Sequence, residues 1–330
     1  MRVRAFPPSR EAAERPLWKA VVLVVAASAA LVLCGQWTAA SGATRHTTAR
    51  RPGGRAVDAG LFEPGACVEY PPTSGNRHLT VFLDAGHGGI DPGSIGETQS
   101  GRSIEEATET LLVELDTKNL LVARGFTVVV SRTGAETVSR PEPGAVSGGL
   151  FTVQGEHDEV AARDECANLA KADILVGIYF DAGDSSYNAG SVTGYDAVRP
   201  FAAQNLRLAT LVQADVLSAM NAQGWAIPDL GVTTDDQLGG PALSSEAADY
   251  GHLLLLGPGV PGWFTTPSAM PGALIEPLFI TDPFEGSLAS GASGQEVIAG
   301  GLARAVEQYF APPPRAEAAP ALSPHGGRKS

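Results

Sequence analysis

Three side chains in this sequence of 330 residues have types and settings that could do chemistry. His87 is hemmed by glycines in the stretch DAGHGGIDPG, residues 84–93, which leaves its imidazole open to a metal or a substrate. Glu106 falls in the first turn of a predicted helix. Glu276 interrupts the apolar run ALIEPLFI, residues 273–280. A carboxylate inside such a run is costly to bury unless it is paired or faces a metal. Each residue also has a plainer explanation: a hydrogen-bonded loop histidine, a capping-box glutamate, a carboxylate paired with arginine. Spacing alone points no further than a metal-dependent hydrolase.

These residues need elements to hold them. LTVFLD (79–84) is a β-branched apolar run that stops in the glycine-rich loop of His87. Ser103 with Glu106 three residues later reads as a capping box, opening a helix with Leu111, Leu112, Leu115, Leu120 and Leu121 that ends near Gly125. Strands follow at 126–131 and 174–180, with a helix at 158–171 between them. A second amphipathic helix spans 205–223. The stretch 224–272 reads mostly as loop, with one apolar strand at 252–256. A strand at 273–280 and a helix at 294–310 close the pattern. Strands alternating with helices argue an α/β fold, a mainly parallel or mixed central sheet flanked by helices in a single catalytic-type domain. In such sheets ligands gather beyond the carboxyl ends of strands, where all three polar groups fall.

The charge is divided along the chain. Net charge is −13, yet residues 1–55 carry nine basic against two acidic side chains, a net of +7. Residues 56–310 carry 11 basic against 33 acidic, a net of −22. A folded region this acidic repels a phosphate backbone, so no nucleic-acid partner is expected. Residues 1–19 read as a basic cytoplasmic segment and 20–36 as a membrane anchor or signal peptide, because positive flanks stay inside. Its uncharged core, 20–34, is short for a span. Cys34 raises lipidation, but Leu33 precedes it where a small residue is expected. On this reading 37–76 is a linker, 77–310 the folded domain and 311–330 a disordered tail, with everything after the apolar segment extracytoplasmic. Beyond that segment only Cys67 and Cys166 remain, as one disulfide or as two separate thiols.

At the polar clusters the sequence resembles the zinc-dependent N-acetylmuramoyl-L-alanine amidases of the amidase-3 family, over most of 79–310. VFLDAGHGGIDPGSIG (81–96) is similar to that family's opening strand and histidine loop. Glu106 stands 19 residues before Gly125 of an ARGF-type element. Arg163 and Ala167-Asn168 resemble the helix leading to the third strand, and ALIEPLFITDP (273–283) the strand bearing the catalytic glutamate. The resemblance implies one Zn2+ held by His87, Glu106 and a second histidine, Glu276 as acid/base, peptidoglycan as the partner, and a monomer. The second histidine's position is Tyr179 here, in GIYFD (177–181). A phenol is a poor ligand unless the metal deprotonates it. Asp181, two residues on and on the same strand face, is the alternative ligand, with His157 and His252 as weaker ones. Two functions follow: an amidase with an altered third ligand, or a non-catalytic peptidoglycan-binding or regulatory relative that has lost tight zinc.

Overall fold

The computed structural model describes residues 53–238 and 250–312. The basic segment, the apolar segment 20–36 and almost all of the 311–330 tail lie outside them. Among the described residues no helix is long and apolar enough to cross a membrane.

The core is a mixed sheet of eight strands. Four parallel strands form its middle: β3 (Thr80–Ala85), β6 (Thr127–Arg132), β9 (Ile174–Ile178) and β12 (Gly272–Glu276). On one side β2 (Ala66–Tyr70) pairs antiparallel with β6, and β1 (Arg55–Ala56) pairs antiparallel with β2. On the other, β10 (Ser191–Tyr195) runs antiparallel to β12, and β11 (Asp229–Thr234) lies parallel to β10. The spatial order is β1-β2-β6-β3-β9-β12-β10-β11. Two small hairpins, β4 (Ile95–Glu97) with β5 (Ser103–Glu105) and β7 (Val146–Ser147) with β8 (Leu150–Phe151), stand apart from it.

The period-2 pattern of the central strands divides the core into two layers. Val81, Leu83, Val128, Val130, Val176 and Ile275 face α1 (Glu106–Ala123), α3 (Ala202–Asn221) and α5 (Ala292–Phe310). Phe82, Val129, Leu175 and Leu274 face α2 (Val153–Leu169) and a turn built of Leu253, Leu255 and Leu256. Burying each such side chain stabilises the fold by about 1.5–3 kcal/mol. A short α4 (Pro283–Ala289), capped by the Asp282 carboxylate on the Glu285 N–H, precedes α5.

Four expectations need correction. The described end of the supposed linker is part of the domain: β1 and β2 extend the sheet, and Cys67 on β2 is disulfide-bonded to Cys166 on α2. Residues 252–256 are not a strand but a turn that buries Leu253–Leu256, because four leucines in a row offer no polar face to alternate with. A strand, β11, does form within 224–272, at the sheet's edge, where DLGVTT carries only Leu230 and Val232 as apolar residues. Ser103 belongs to β5 rather than to a capping box, and α1 starts at Glu106 with no side-chain cap.

Candidate active site

The carboxyl ends of β3, β9 and β12 meet the first turn of α1. His87, in the loop after β3, has a left-handed backbone (φ 63°). Its Nδ1 faces the Asp91 carboxylate at 2.7 Å, and its Nε2 lies 3.1 Å from Glu106 Oε1. Gly93 makes this approach feasible. At φ 65°, a Cβ there would fall 2.6 Å from His87 Cδ2 and 2.8 Å from Glu106 Oε2. Asp91 is itself held by the Gly93 N–H (2.9 Å). Glu106 accepts from two backbone amides, Phe180 N–H (3.0 Å) at Oε1 and Ser94 N–H (2.9 Å) at Oε2. Its carboxylate is thus fixed by the ends of β9 and the His87 loop together.

The electrostatics show an excess of acid around one imidazole. Burial disfavours a charged His87, but Glu106 and Asp91 outweigh it and raise the imidazole to about 10. Glu276, the last residue of β12, is buried, and its Oε2 has no hydrogen-bond partner. Burial, then Asp181 and Glu106, push its carboxyl well above the usual range, against the pull of His87. Asp181 is half-buried, with Oδ1 accepting from the Ala182 N–H at 2.7 Å. Burial, with a contribution from Glu106, raises Asp181 to about 6. Glu276 thus feels Asp181, Glu106 and His87, and Glu106 acts on His87 and Asp181 as well.

Tyr179 is turned to another task. Its hydroxyl donates to Asp84 Oδ2 at 3.1 Å, while Asp84 Oδ1 is paired with the buried Arg163 at 2.6 Å. Burial and Asp84 lift the phenol well above 10, although Arg163 opposes them. Its ring packs edge-on to His87, centroids 5.4 Å apart, over Gly86, where a Cβ would meet the ring at 2.4 Å. Arg163 also donates to the Ala85 and His87 carbonyls and to Glu159, tying α2 to the histidine loop. Arg163 and Asp84 thus position the site, Arg163 having been singled out in the sequence only by resemblance. Asp91, four residues after His87, carried that spacing as its only signal.

The other two histidines lie elsewhere. His157, buried in α2, contacts Asp158 and stacks near Trp263 and Phe264. His252 sits with Asp196 and Asp235. The cleft at His87 is bounded by Asp91, Ser94 and Glu156 with Leu150 and Phe151 of the β7–β8 hairpin, and on its inner side by Tyr179 and Leu253–Leu255.

A divalent cation suits this donor set: an imidazole oriented by a carboxylate, a backbone-fixed Glu106, and a buried Glu276 oxygen with nothing to bond. The fit is incomplete at the third position. Tyr179 is committed to Asp84, and among the described residues no third acidic, imidazole or thiol atom joins His87 and Glu106 within 4.8 Å of both.

Comparisons place the chain. Residues 81–308 match the family model of N-acetylmuramoyl-L-alanine amidase, amidase-3. Among solved structures, the CwlD amidase of Clostridioides difficile, determined in complex with the GerS lipoprotein, is 21% identical with a TM-score of 0.52. The match covers 70% of this chain and 98% of that one. Cwp6 from Clostridium difficile is 18% identical with a TM-score of 0.51, covering 72% of this chain and 30% of that one. These identities speak for the fold. No curated protein matches. With more than two thirds of its length matched by the family model, over the segment that carries His87, Glu106 and Glu276, the chain belongs to the amidase-3 family of N-acetylmuramoyl-L-alanine amidases.

Proposed function

We propose that this protein hydrolyses the amide joining N-acetylmuramic acid to L-alanine in peptidoglycan, using a zinc ion that His87 and Glu106 would hold, with Asp181 drawn in as the third ligand. The observation that carries the reading is Glu276, a buried carboxyl with an unbonded oxygen beside the His87–Glu106 pair. Burying such a group is a cost that a proton-transfer role explains. When bound, zinc would supply Lewis acidity, acidifying a water and polarising the scissile carbonyl. The chain's own residues do the rest. Asp91 holds the His87 ring so that Nε2 faces inward, and the Ser94 and Phe180 amides hold Glu106. Glu276 takes a proton from the attacking water and returns it to the leaving amine, a role suited to a carboxyl whose affinity for protons is already raised. Asp181 would complete the ligand set only by turning from the Ala182 N–H toward His87 and Glu106. The open cleft beside Leu150 and Phe151 admits the glycan-linked stem.

The protein works outside the cytoplasm, tethered or exported through 20–36. The Cys67–Cys166 disulfide supports an oxidising compartment.

Tyr179 favours a second reading, in which the chain binds peptidoglycan without cleaving it. A ligand position spent on a hydrogen bond to Asp84 lowers metal affinity, and even supporting contacts to a metal site are worth about 10–100-fold. The full chain and its Tyr179→His variant, incubated with zinc and purified peptidoglycan, separate the two. Release of stem peptides by the unaltered chain, lost in Asp181→Asn, supports the amidase. Binding without release, with hydrolysis gained in Tyr179→His, overturns it.

A further inference from the structure

A second cluster of metal-type ligands lies at the other end of the sheet. Because β10 runs antiparallel to β12, with Val192 opposite Glu276 and Gly194 opposite Leu274, Asp196 emerges at the edge away from Glu276. Parallel pairing of β11, with Tyr195 opposite Thr234, brings Asp235 out beside it. Both carboxyl groups are buried, at 0% and 1% exposure. His252 Nδ1 stands 3.0 Å from Asp196 Oδ2 and 3.3 Å from Asp235 Oδ2. Among the described residues this is the one trio of acidic, imidazole or thiol groups whose ligand atoms all fall within 4.8 Å of one another.

Within the trio His252 Nδ1 is hydrogen-bonded to the Asp235 carboxylate, 3.4 Å from Oδ1 and 3.3 Å from Oδ2, and one buried acceptor stays open. Asp196 Oδ1 accepts from the Val198 and Arg199 amides, both at 2.8 Å, whereas its Oδ2 is sealed from solvent and receives no hydrogen bond. The 3.0 Å approach of His252 to that oxygen has the distance of an ion pair but not the geometry of a hydrogen bond. Asp235 Oδ2 accepts from the Leu253 N–H at 3.0 Å. The nearest fixed cation is not aimed at the pair: the Arg199 guanidinium is spent on the carbonyls of Leu256, Gly257 and Ser268. Burial and Asp196 raise the Asp235 carboxyl, as two buried acids sharing a space must. A single imidazole faces both carboxylates.

We propose that Asp196, Asp235 and His252 form a second site for a divalent cation of the zinc class, separate from the His87 site, which clamps the Leu253–Leu256 turn against the sheet. One imidazole nitrogen with two carboxylate oxygens suits a first-row transition ion. Calcium and magnesium prefer all-oxygen shells. The clamp reaches the catalytic cleft: His252 is a ligand, Leu253 is bonded to Asp235, and Leu253–Leu255 line the inner wall beside His87 and Tyr179. The cation is thus a structural element of the substrate wall, and the site stands whether or not the protein is an amidase.

The test uses the full chain stripped by a chelator and retitrated with zinc, in the unaltered sequence and in His87→Ala, His87→Ala/Asp235→Asn and His87→Ala/His252→Gln. The expected result is one zinc per chain bound by His87→Ala, with a rise in its melting temperature and a cobalt-substituted spectrum carrying one nitrogen donor. That zinc should bind at least 10-fold more weakly in either double variant, loss of a direct ligand exceeding the cost of losing a supporting one. His252→Gln changes a side chain that is 22% exposed, so it reports on the site even where Asp235→Asn does not fold. Failure of His87→Ala to bind zinc at micromolar concentration, or unchanged binding in His87→Ala/His252→Gln, overturns the proposal.

Discussion

Glu276 has opposite preferred states depending on what lies beside it. Burial with Asp181 and Glu106 nearby favours its protonated form; a divalent cation beside it would favour the ionised one. That range is what a group shuttling one proton needs, and removing it separates chemistry from assembly. Glu276→Gln keeps the shape and removes the proton acceptor, so kcat on peptidoglycan should fall by about 10²–10⁴-fold. Zinc held at His87 and Glu106 should be retained, since both carboxylate oxygens of Glu106 are fixed by amides that the change does not touch. A variant losing zinc and activity together would make Glu276 a ligand rather than the acid/base, and metal analysis alongside the kinetics reads the difference.

At the scale of elements, α2 is the lever that sets the histidine loop. Arg163 reaches from it to Asp84 and to the His87 carbonyl, and Cys166, one turn on, ties the same helix to β2 through the disulfide. The two cysteines are 99 residues apart, and in the chain-entropy model a loop of about 100 residues contributes about 4.7 kcal/mol. Cys67→Ser/Cys166→Ser should therefore lose several kcal/mol in urea unfolding, a loss that reductant reproduces in the unaltered chain. An unchanged midpoint would mean that the sheet and α2 hold each other without the bond. The sequence disclosed some of these elements and hid others for identifiable reasons. The central strands were legible because they are β-branched and end in glycine or polar residues. The leucines of α1 told only part: Leu121 is fully buried but Leu112 is exposed, and beside Val113 and Val122 the buried face carries Glu106, Glu109, Thr110, Glu114 and Thr117, since that face serves the site and not only the core. His87, Glu106 and Glu276 stood out by type and place, and the fold brings them to one end of the sheet. The hydrogen bond that takes Tyr179 out of the ligand set was not, because it depends on Asp84 being turned by an arginine 79 residues away. Asp196 and Asp235 were invisible for the same kind of reason, each being an ordinary residue after a strand until pairing sets them side by side.

For the whole molecule the charge split decides how it meets its substrate. Residues 56–310 carry a net −22, and the cleft bears Asp91 and Glu156, its one arginine, Arg163, being buried and paired with Asp84 and Glu159. Cell-wall polymers that are themselves anionic repel such a domain at long range, so attachment has to come from contacts inside the cleft and from the proposed tether at 20–36. Salt then acts in an uncommon direction. Raising ionic strength from 0.01 M to 0.15 M shortens the screening length from about 30 Å to about 8 Å, which removes repulsion while leaving short contacts intact. The fraction of protein sedimenting with purified walls should hold or rise across that range. A protein that gripped the wall through basic residues would be released instead, since like a nucleic-acid binder it would give up its gain from displaced counterions. Loss of binding with salt would therefore locate the wall contact in the basic N-terminal stretch, with its net +7, rather than in the acidic domain.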